Sequence, residues 1–436
     1  MRLLLSLLML YLPLSAHAMQ DQMYGLGGST TGRVGAVTAE PENAYASLLN
    51  PALLAATDKP LFGFSLGTML ARFDAPQNVI LDSRKYRTRD GQDRSGTASL
   101  TPVGTLLMSA GYAHPMSLKV WPDHRLGLGV SMSGPIGQFR RWVALSPYDF
   151  TLLRYGAGDT QFKGTLSGAL ELIPRRLFVG GGISLFMTSN GISEADMTSE
   201  NQTGRMAMDI AFNTAAVAGI YSVFGRTGLS LTYRQHINPI FRQRMEASLQ
   251  VGGADVANQP TTIEGSLYYE PAVVEAEIQQ NWSNVVASVG VAFQQWSQYQ
   301  PRYLVVSTVD ANGVPRSTLP VNIPTRDTWN PRASIEWRGW NKWRLAGGYQ
   351  FRPLAVTDLS SAANLIDTQT HVTGLSIQRA LGNVLFFEDL SLCAFAQVHW
   401  MSPRDIVKSE ADTVGSPGYR IAGNAYTFGL SMTSSL

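Results

Sequence analysis

The stretch Arg125–Ser133 reads RLGLGVSMS. Leu126, Leu128, Val130 and Met132 fall on one side of an extended chain, and Gly127, Gly129, Ser131 and Ser133 on the other. Alternation with a period of two marks a β-strand with two unlike faces. The pattern returns in RTGLSLTYR (Arg226–Arg234), where Leu229, Leu231 and Tyr233 oppose Gly228, Ser230, Thr232 and Arg234. It returns again in VVASVGVAF (Val285–Phe293), WRLAGGYQF (Trp343–Phe351) and AYTFGLSM (Ala425–Met432). One face is large and apolar; the other is small or polar.

The small face decides between two architectures. A soluble β-sandwich points bulky residues inward and shows charge outside. Here the second face carries Gly, Ser, Thr and an occasional Arg or Gln, with few Lys or Glu. A membrane barrel turns its apolar face to lipid and its polar face to the lumen. Aromatic residues near strand ends, Trp296 to Tyr299, Trp337 to Trp343 and Trp400, suit an interfacial girdle. The expected fold is all-β: a transmembrane antiparallel β-barrel over residues 59–436.

Composition agrees. Charged residues make up 15% of the 436, aromatics 10%, and there are 41 glycines. The charged share is below the usual quarter. No apolar run after the first residues is long and uncharged enough for a spanning helix; Met206–Gly225 carries Asp209 and Asn213. A net charge of +2 points to no nucleic-acid partner, and the single Cys393 rules out an internal disulfide. The opening MRLLLSLLMLYLPLSAHA has a basic Arg2, an apolar Leu3–Leu14 and small residues at Ala16-His17-Ala18. It is read as a cleaved signal peptide over residues 1–18.

Short links are expected near His114–His124, Pro174-Arg175, Gly225, Trp282–Asn284, Gly339–Lys342 and Leu381–Phe387. Longer polar links are expected near Asp74–Leu100, Arg140–Gln161, Ser189–Thr203, Gly252–Thr261, Gln300–Thr325, Leu354–Asp367 and Ser402–Ile421. Short and long alternate, as periplasmic turns and outer loops do, and the tally is about fourteen strands. A barrel that wide cannot fill its lumen with strand side chains alone. It is an open pore or it is plugged.

Residues 19–58 precede the first strand and do not alternate. Asn50 suits a helix N-cap and Pro51 the first helical position. Glu42–Leu49 and Ala52–Ala56 therefore read as two short turns of helix joined by a bend. Inside a barrel, such an apolar knot is a stopper.

Three further features carry two readings each. Arg234, on the lumen face, can hold a ligand carboxylate through paired donors, or pair with an acid such as Glu246. The basic stretch Asp82–Arg94 can meet lipopolysaccharide phosphates or lie solvated. In Phe139–Gly156, the apolar Trp142, Leu145, Tyr148, Phe150, Leu152 and Leu153 can make first contact with a ligand, or pack against the rim. Catalytic patterns are missing. The histidines show no HExxH spacing, and there is neither a GxSxG elbow nor a P-loop. No cofactor and no metal are expected, and the chain is not read as an enzyme. A Ser-His pair assembled across strands, as in an outer-membrane lipase, is the third-ranked alternative.

Taken in order, these stretches resemble the long-chain fatty acid transporter family of Gram-negative outer membranes, the FadL/TodX type. Asn50-Pro51-Ala52 is similar to the Asn-Pro-Ala motif of that family's N-terminal hatch. Gly134-Pro135-Ile136-Gly137 looks like the turn where the family's third strand is kinked, and TGLSLTYRQHINPI resembles a later strand. FQQWSQY, RDTWNPRASIEWR and LAGGYQFRPLAVTD resemble strands beyond it. The likeness runs from about Tyr24 to the end. The chain departs from the pattern in its final SMTSSL, where Phe428 is the last aromatic.

The resemblance implies a fourteen-stranded barrel with an N-terminal hatch in the lumen. It implies passive uptake of fatty acids or similar hydrophobic compounds, which leave sideways into lipid where the third strand bends away. Pro135 would remove one ladder donor there; the plainer reading of Gly134–Gly137 is a strand-ending turn. The implied partners are outer-membrane lipid, lipopolysaccharide and a hydrophobic small molecule, with the chain a monomer. The alternative is a structural or secretion-associated barrel that docks or shuttles surface proteins.

Overall fold

In a computed structural model, the chain is described over residues 25–81, 95–98, 100, 105–118, 121–136, 149–155, 162–197, 202–251, 254–258, 261–266, 268–301, 305–309, 315–317, 323–361, 363–385, 387–411 and 413–436. Among these, fourteen antiparallel strands close into a cylinder. They are β1 (Leu61–Phe73), β2 (Thr105–Leu118), β3 (Trp121–Pro135), β4 (Lys163–Ile173), β5 (Leu177–Met197), β6 (Gln202–Phe224) and β7 (Thr227–Arg234). β8 (Ala272–Asn281), β9 (Val285–Gln295), β10 (Thr328–Trp340), β11 (Trp343–Arg352), β12 (Thr370–Val384), β13 (Phe387–Val407) and β14 (Gly418–Ser435) complete the wall. Each pairs with the next, and β14 closes onto β1 from Leu61↔Ser435 to Phe73↔Gly423. A closed sheet has no free edge along its wall, so the backbone groups of neighbouring strands partner one another as a bilayer requires.

The two faces segregate as the alternation requires. Leu128 is 51% exposed, Val289 64% and Leu430 67%, whereas Ser131 and Ser288 on the opposite face are 2% and 1% exposed. Leaving such an apolar band in water would forfeit about 25 cal/mol per Å². Acyl chains remove that penalty, so the band is the bilayer surface. The Trp337 and Trp340 rings meet at 6.2 Å, tilted by 40°, beside a short turn, and Trp329 and Trp400 lie exposed toward the long-loop end. Trp296 departs from the expected girdle. It is fully buried in a 3-10 turn, its indole N–H donating to Gln294 Oε1 at 3.1 Å. An indole with a hydrogen-bond partner is stable inside, and the turn folds Trp296 beneath the loops.

The short turns fall where expected, but Ser189–Thr203 is mostly strand. β5 and β6 stay paired far beyond the wall, to Met197↔Gln202. β4 leaves β5 at Gly164↔Leu185, exposing the edge of β5 above it. The segment Ile240–Val251 crosses over and pairs in parallel along that edge, from Arg242↔Asn190 to Leu249↔Met197. Thr261–Ser266, Val305–Val309 and Pro315–Ser317 extend the sheet outward. The result is a crown of paired strands above the barrel, because an unpaired edge in a long loop is costly.

Residues 25–57 lie inside the cylinder and are almost wholly buried. Three single-turn helices organise them: α1 (Gly28–Gly32), α2 (Ala46–Leu49) and α3 (Leu53–Ala56). The latter two are the expected pair, with tighter bounds; α1 lacks any sequence cue. An apolar cluster of Ala46, Ala52, Leu53, Leu54 and Ala55 packs on Phe178 and Tyr221 of the wall. A second cluster caps the opposite end, where Leu152, Leu153, Trp296, Val356, Leu365, Met401 and Tyr419 meet beneath the outer loops. Between the two lies a polar layer.

Candidate functional site in the lumen

Asn50 is fully buried and uses both ends of its amide. Its Oδ1 accepts the Ala52 N–H at 3.1 Å, and its main-chain carbonyl accepts the Leu53 N–H at 3.1 Å. The expected cap at Asn50 is instead a turn ahead of α3: the helix starts at Leu53, and its N-cap is Ala52, which makes no side-chain cap. Its Nδ2 donates to the Thr38 carbonyl at 2.8 Å and to the Ile220 carbonyl of β6 at 3.4 Å. One side chain thus joins two parts of the N-terminal segment to the wall.

Pro51 and Ala52 rest on Gly180 and Gly219, which face each other across the β5–β6 ladder. A Cβ at Gly180 would overlap the Ala52 nitrogen, and one at Gly219 would overlap Asn50 Oδ1. The Asn50-Pro51-Ala52 bend therefore meets β5 and β6, not the 134–136 region of β3. β3 is touched lower down, where Leu54 packs against Gly127 and Gly129. Close approach requires wall glycines, and these decide the docking site.

Arg33 holds the segment from its other side. Its guanidinium donates to Glu40 at 2.9 Å, Ser288 at 2.8 Å, Ser334 at 3.1 Å and Gln279 at 3.2 Å. These wall partners come from β8, β9 and β10. Burial alone would raise the Glu40 carboxyl, but Arg33 and Arg338 outweigh it and hold it below its ordinary value. Thr38 donates to Glu277 at 3.1 Å, and the Gly28 N–H donates to Ser431 at 2.8 Å.

Between this segment and the outer cap lies a cavity of about 40 Å³, room for one water. Leu26, Val34 and Leu49 line it from the N-terminal side; Arg234, Glu275, Arg332, Gln350, Arg352 and Gln397 line it from the wall. Arg234 pairs with Glu275 at 3.3 Å; the Glu246 side chain lies outside the described residues. Arg332 also pairs with Glu275, and reaches Glu277 at 3.8 Å. Arg332 Nε is buried with no hydrogen-bond partner. Three guanidiniums share this small space with one carboxylate on its lining, an arrangement that favours a further anion. Arg332 and Arg352 were not among the sequence candidates. Their signal was alternation, which puts both on the lumen face.

Of the six loop residues, Phe150, Leu152 and Leu153 are described, while Trp142, Leu145 and Tyr148 lie outside the described residues. Leu152 and Leu153 are buried in the outer cluster, and Phe150 meets the Tyr419 ring edge-on at 5.2 Å. They pack against neighbouring loops. The basic stretch Asp82–Arg94 also lies outside the described residues.

At the third strand, the β3–β4 ladder stops at Ser133↔Lys163. The β2 side continues through Met108↔Gly134 and Leu107↔Pro135, and the Ile136 N–H donates to the Leu106 carbonyl at 2.8 Å. Among the described residues, pairing is thus one-sided at Gly134 and Pro135. Phe162 is buried directly over Gly134, where a Cβ would overlap its ring. Gly137 lies outside the described residues. Among the described residues, no group of three or more His, Cys, Asp or Glu is placed to hold a metal ion.

Solved structures share this closed fourteen-strand architecture. A Pseudomonas aeruginosa FadL homologue superposes with a TM-score of 0.60, covering 94% of this chain and 98% of its own at 12% identity. The chain has the FadL-type fold. The CymD monoaromatic hydrocarbon channel matches with a TM-score of 0.52 at 13% identity, covering 97% of this chain and 99% of its own. The Pseudomonas putida toluene transporter TodX matches at 0.50 and 12% identity with the same coverage. No family model matches the chain, and no curated protein does. At such low identity the FadL-type likeness is one of fold, and what passes through the lumen depends on its own side chains.

Proposed function

We propose that this chain is an outer-membrane channel for the passive uptake of long-chain fatty acids or similar hydrophobic compounds. Residues 19–58 act as its hatch, 59–436 as its barrel, and 1–18 as a signal peptide for export. It functions as a monomer in a Gram-negative outer membrane, among lipid and lipopolysaccharide, and assigns no catalytic step to any residue. The observation that carries the reading is the cavity shared by Arg234, Arg332 and Arg352 between an apolar cap and an apolar hatch. At about 40 Å³ it has space near a carboxylate head only, and the acyl tail of a bound fatty acid would lie along the apolar cap or hatch once these move apart. Neutral hydrocarbons, the cargo named for CymD and TodX, offer no acceptor to the buried Arg332 Nε.

Exit would be sideways. An apolar molecule gains nothing by crossing to the aqueous periplasm, and the one-sided pairing at Gly134 and Pro135 supports a gap to lipid, with Phe162 as its door. The test is binding of myristate against tetradecanol to the purified barrel. Myristate should bind at least about tenfold more tightly, as one charge-assisted hydrogen bond allows, and Arg332→Gln should erase the difference. Equal binding of acid and alcohol would refute the carboxylate reading.

A second reading has one observation in its favour. The crown of strands around Ile240–Val251 offers a platform on which surface proteins could dock. Recovery of a stable protein partner from membranes, with no lipid in the lumen, would favour it.

A further inference from the structure

The turn Pro174-Arg175-Arg176 joins β4 to β5, and Gly225-Arg226 joins β6 to β7. Strand pairing sets these turns side by side. The Val223 N–H donates to the Arg176 carbonyl at 2.9 Å, and the Asn281 N–H donates to the Arg226 carbonyl at 2.9 Å. Arg175, Arg176 and Arg226 are all exposed, and none of their guanidiniums has an ion pair or a hydrogen bond among the described residues. Three other cations at this end of the barrel are answered: Lys59 by Asp389 at 2.8 Å, Arg125 by Asp58 at 2.5 Å and Arg338 by Glu40 at 3.5 Å. Glu171, at the foot of β4, is buried, and its carboxylate accepts the main-chain N–H groups of Arg125 and Arg175. Like charges gathered without a counter-ion repel, so the cluster suits an anion from outside the chain.

Above the same turns the outward wall is hollowed. A groove of about 420 Å³, against about 40 Å³ for the lumen cavity, is lined by Leu126, Leu128, Gly168, Leu170, Val179 and Gly181. Gly168 and Gly181 pair across β4 and β5, with Leu128 of β3 opposite Gly168. Neither glycine is required by packing within the protein. An added Cβ would come no closer than 3.5 Å to another atom at Gly168 and 3.7 Å at Gly181, which is ordinary contact. The two positions therefore leave a hollow on the bilayer side, where their neighbours carry Leu or Val. Gly168 stands five residues from Ile173 on β4, about 16 Å along a strand and about 12 Å in depth once the strand tilts. Half of the hydrocarbon thickness is about 15 Å. Groove and arginines thus lie within reach of one lipid in one leaflet. Ile173 and Phe224, both exposed, mark the apolar side of the boundary beside the arginines.

The geometry points to a binding site for one anionic phospholipid, with its phosphate on Arg175, Arg176 and Arg226 and an acyl chain in the groove over Gly168 and Gly181. Charge and shape are independent features, and they meet on the same strands. A zwitterionic lipid would fill the groove equally but bring its own cation to the arginines, so the site selects for net negative charge. Short turns face the periplasm in barrels of this kind, which places the site in the phospholipid leaflet and away from lipopolysaccharide. The inference needs the barrel to lie in a bilayer and does not depend on what passes through its lumen.

Native mass spectrometry of the full-length barrel in detergent, mixed with equal amounts of phosphatidylglycerol and phosphatidylcholine of identical long chains, tests the site. The wild type should retain phosphatidylglycerol at least about tenfold over phosphatidylcholine. Arg226→Gln should cut that preference about fivefold, the worth of one cation beside an anionic lipid surface. The triple variant Arg175→Gln, Arg176→Gln, Arg226→Gln should abolish it. Gly181→Leu fills the groove and should lower retention of long-chain phosphatidylglycerol several-fold, while dihexanoyl phosphatidylglycerol binds as before. Inorganic phosphate at the same concentration should displace neither lipid, since it brings no chain. Equal retention of the two lipids by the wild type, an undiminished preference in the triple variant, or displacement by phosphate overturns the proposal. So does wild-type retention of long-chain phosphatidylglycerol by Gly181→Leu. If the triple variant does not fold, Arg226→Gln alone decides the headgroup contact.

Discussion

Arg33 and Glu40 form an ion pair at 2.9 Å inside the cylinder, with the guanidinium wholly shielded from water. The pair is local in sequence, yet Arg33 also binds three wall strands. It is a clasp that closes the N-terminal segment on itself and on the barrel together.

Acid should open this clasp. The Glu40 carboxyl is held below its ordinary 4.5. A lowered carboxylate contributes its full stabilisation above the unfolded value and loses it as pH falls through its own lower value. Ion conductance of single barrels in a planar bilayer should be low at neutral pH and rise reversibly once pH drops below 4.5. Glu40→Gln should conduct more at neutral pH and lack the acid step. A wild-type conductance with the same pH profile as Glu40→Gln, down to the pH at which the barrel unfolds, would remove the clasp from the closing mechanism.

Deleting the cation is more damaging than neutralising the acid. Arg33→Ala leaves Glu40 with Arg338 alone, at 3.5 Å, and removes the bonds to Ser288, Ser334 and Gln279; it should destabilise the N-terminal segment by about 3 kcal/mol. The barrel keeps its own hydrogen bonds and should still fold. Protease cleavage within residues 25–57, with the barrel band intact on a gel, is the expected outcome; uniform resistance would contradict it.

The wall glycines can be tested by adding one methyl group. Gly219→Ala puts a Cβ onto Asn50 Oδ1, and such overpacking costs about 1–3 kcal/mol. The Asn50–Thr38 contact should loosen, with faster amide exchange over residues 50–56 and unchanged exchange in β1 and β14. Gly225→Ala makes a control for space but not for backbone: nothing lies within 4 Å of its added Cβ, although its φ of 63° disfavours any side chain.

Phe162 is the residue to remove at the one-sided part of β3. Phe162→Ala vacates the space over Gly134 while leaving the β2–β3 ladder intact. Transfer of a fluorescent fatty acid from solution into proteoliposome lipid should accelerate several-fold. An unchanged or slower rate would argue against lateral exit at Gly134–Ile136.

Much of the architecture was legible along the chain. A period of two, a bulky face and a small face appear within single stretches such as Arg125–Ser133, and a bilayer allows only one closed arrangement of such strands. Short turns carry their own local chemistry, so the strand count followed. The turn at Asn50-Pro51 was legible for the same reason, since Asn50 bonds its near neighbour Ala52, although the N-cap of α3 falls at Ala52.

The site was less legible. Arg332, Arg352, Gln397 and His399 could be placed on the lumen face by counting, but nothing in the chain says which of them face the same space. Trp296 looked like a girdle residue until the turn carried it inside, and Ser189–Thr203 looked like loop until the edge of β5 drew in Ile240–Val251. What the sequence by itself determined is the orientation of each residue relative to its own strand, because backbone pleating is local. What the tertiary structure alone decided is which lumen residues meet, because closure of the barrel and the fit of the N-terminal segment against wall glycines join groups hundreds of residues apart.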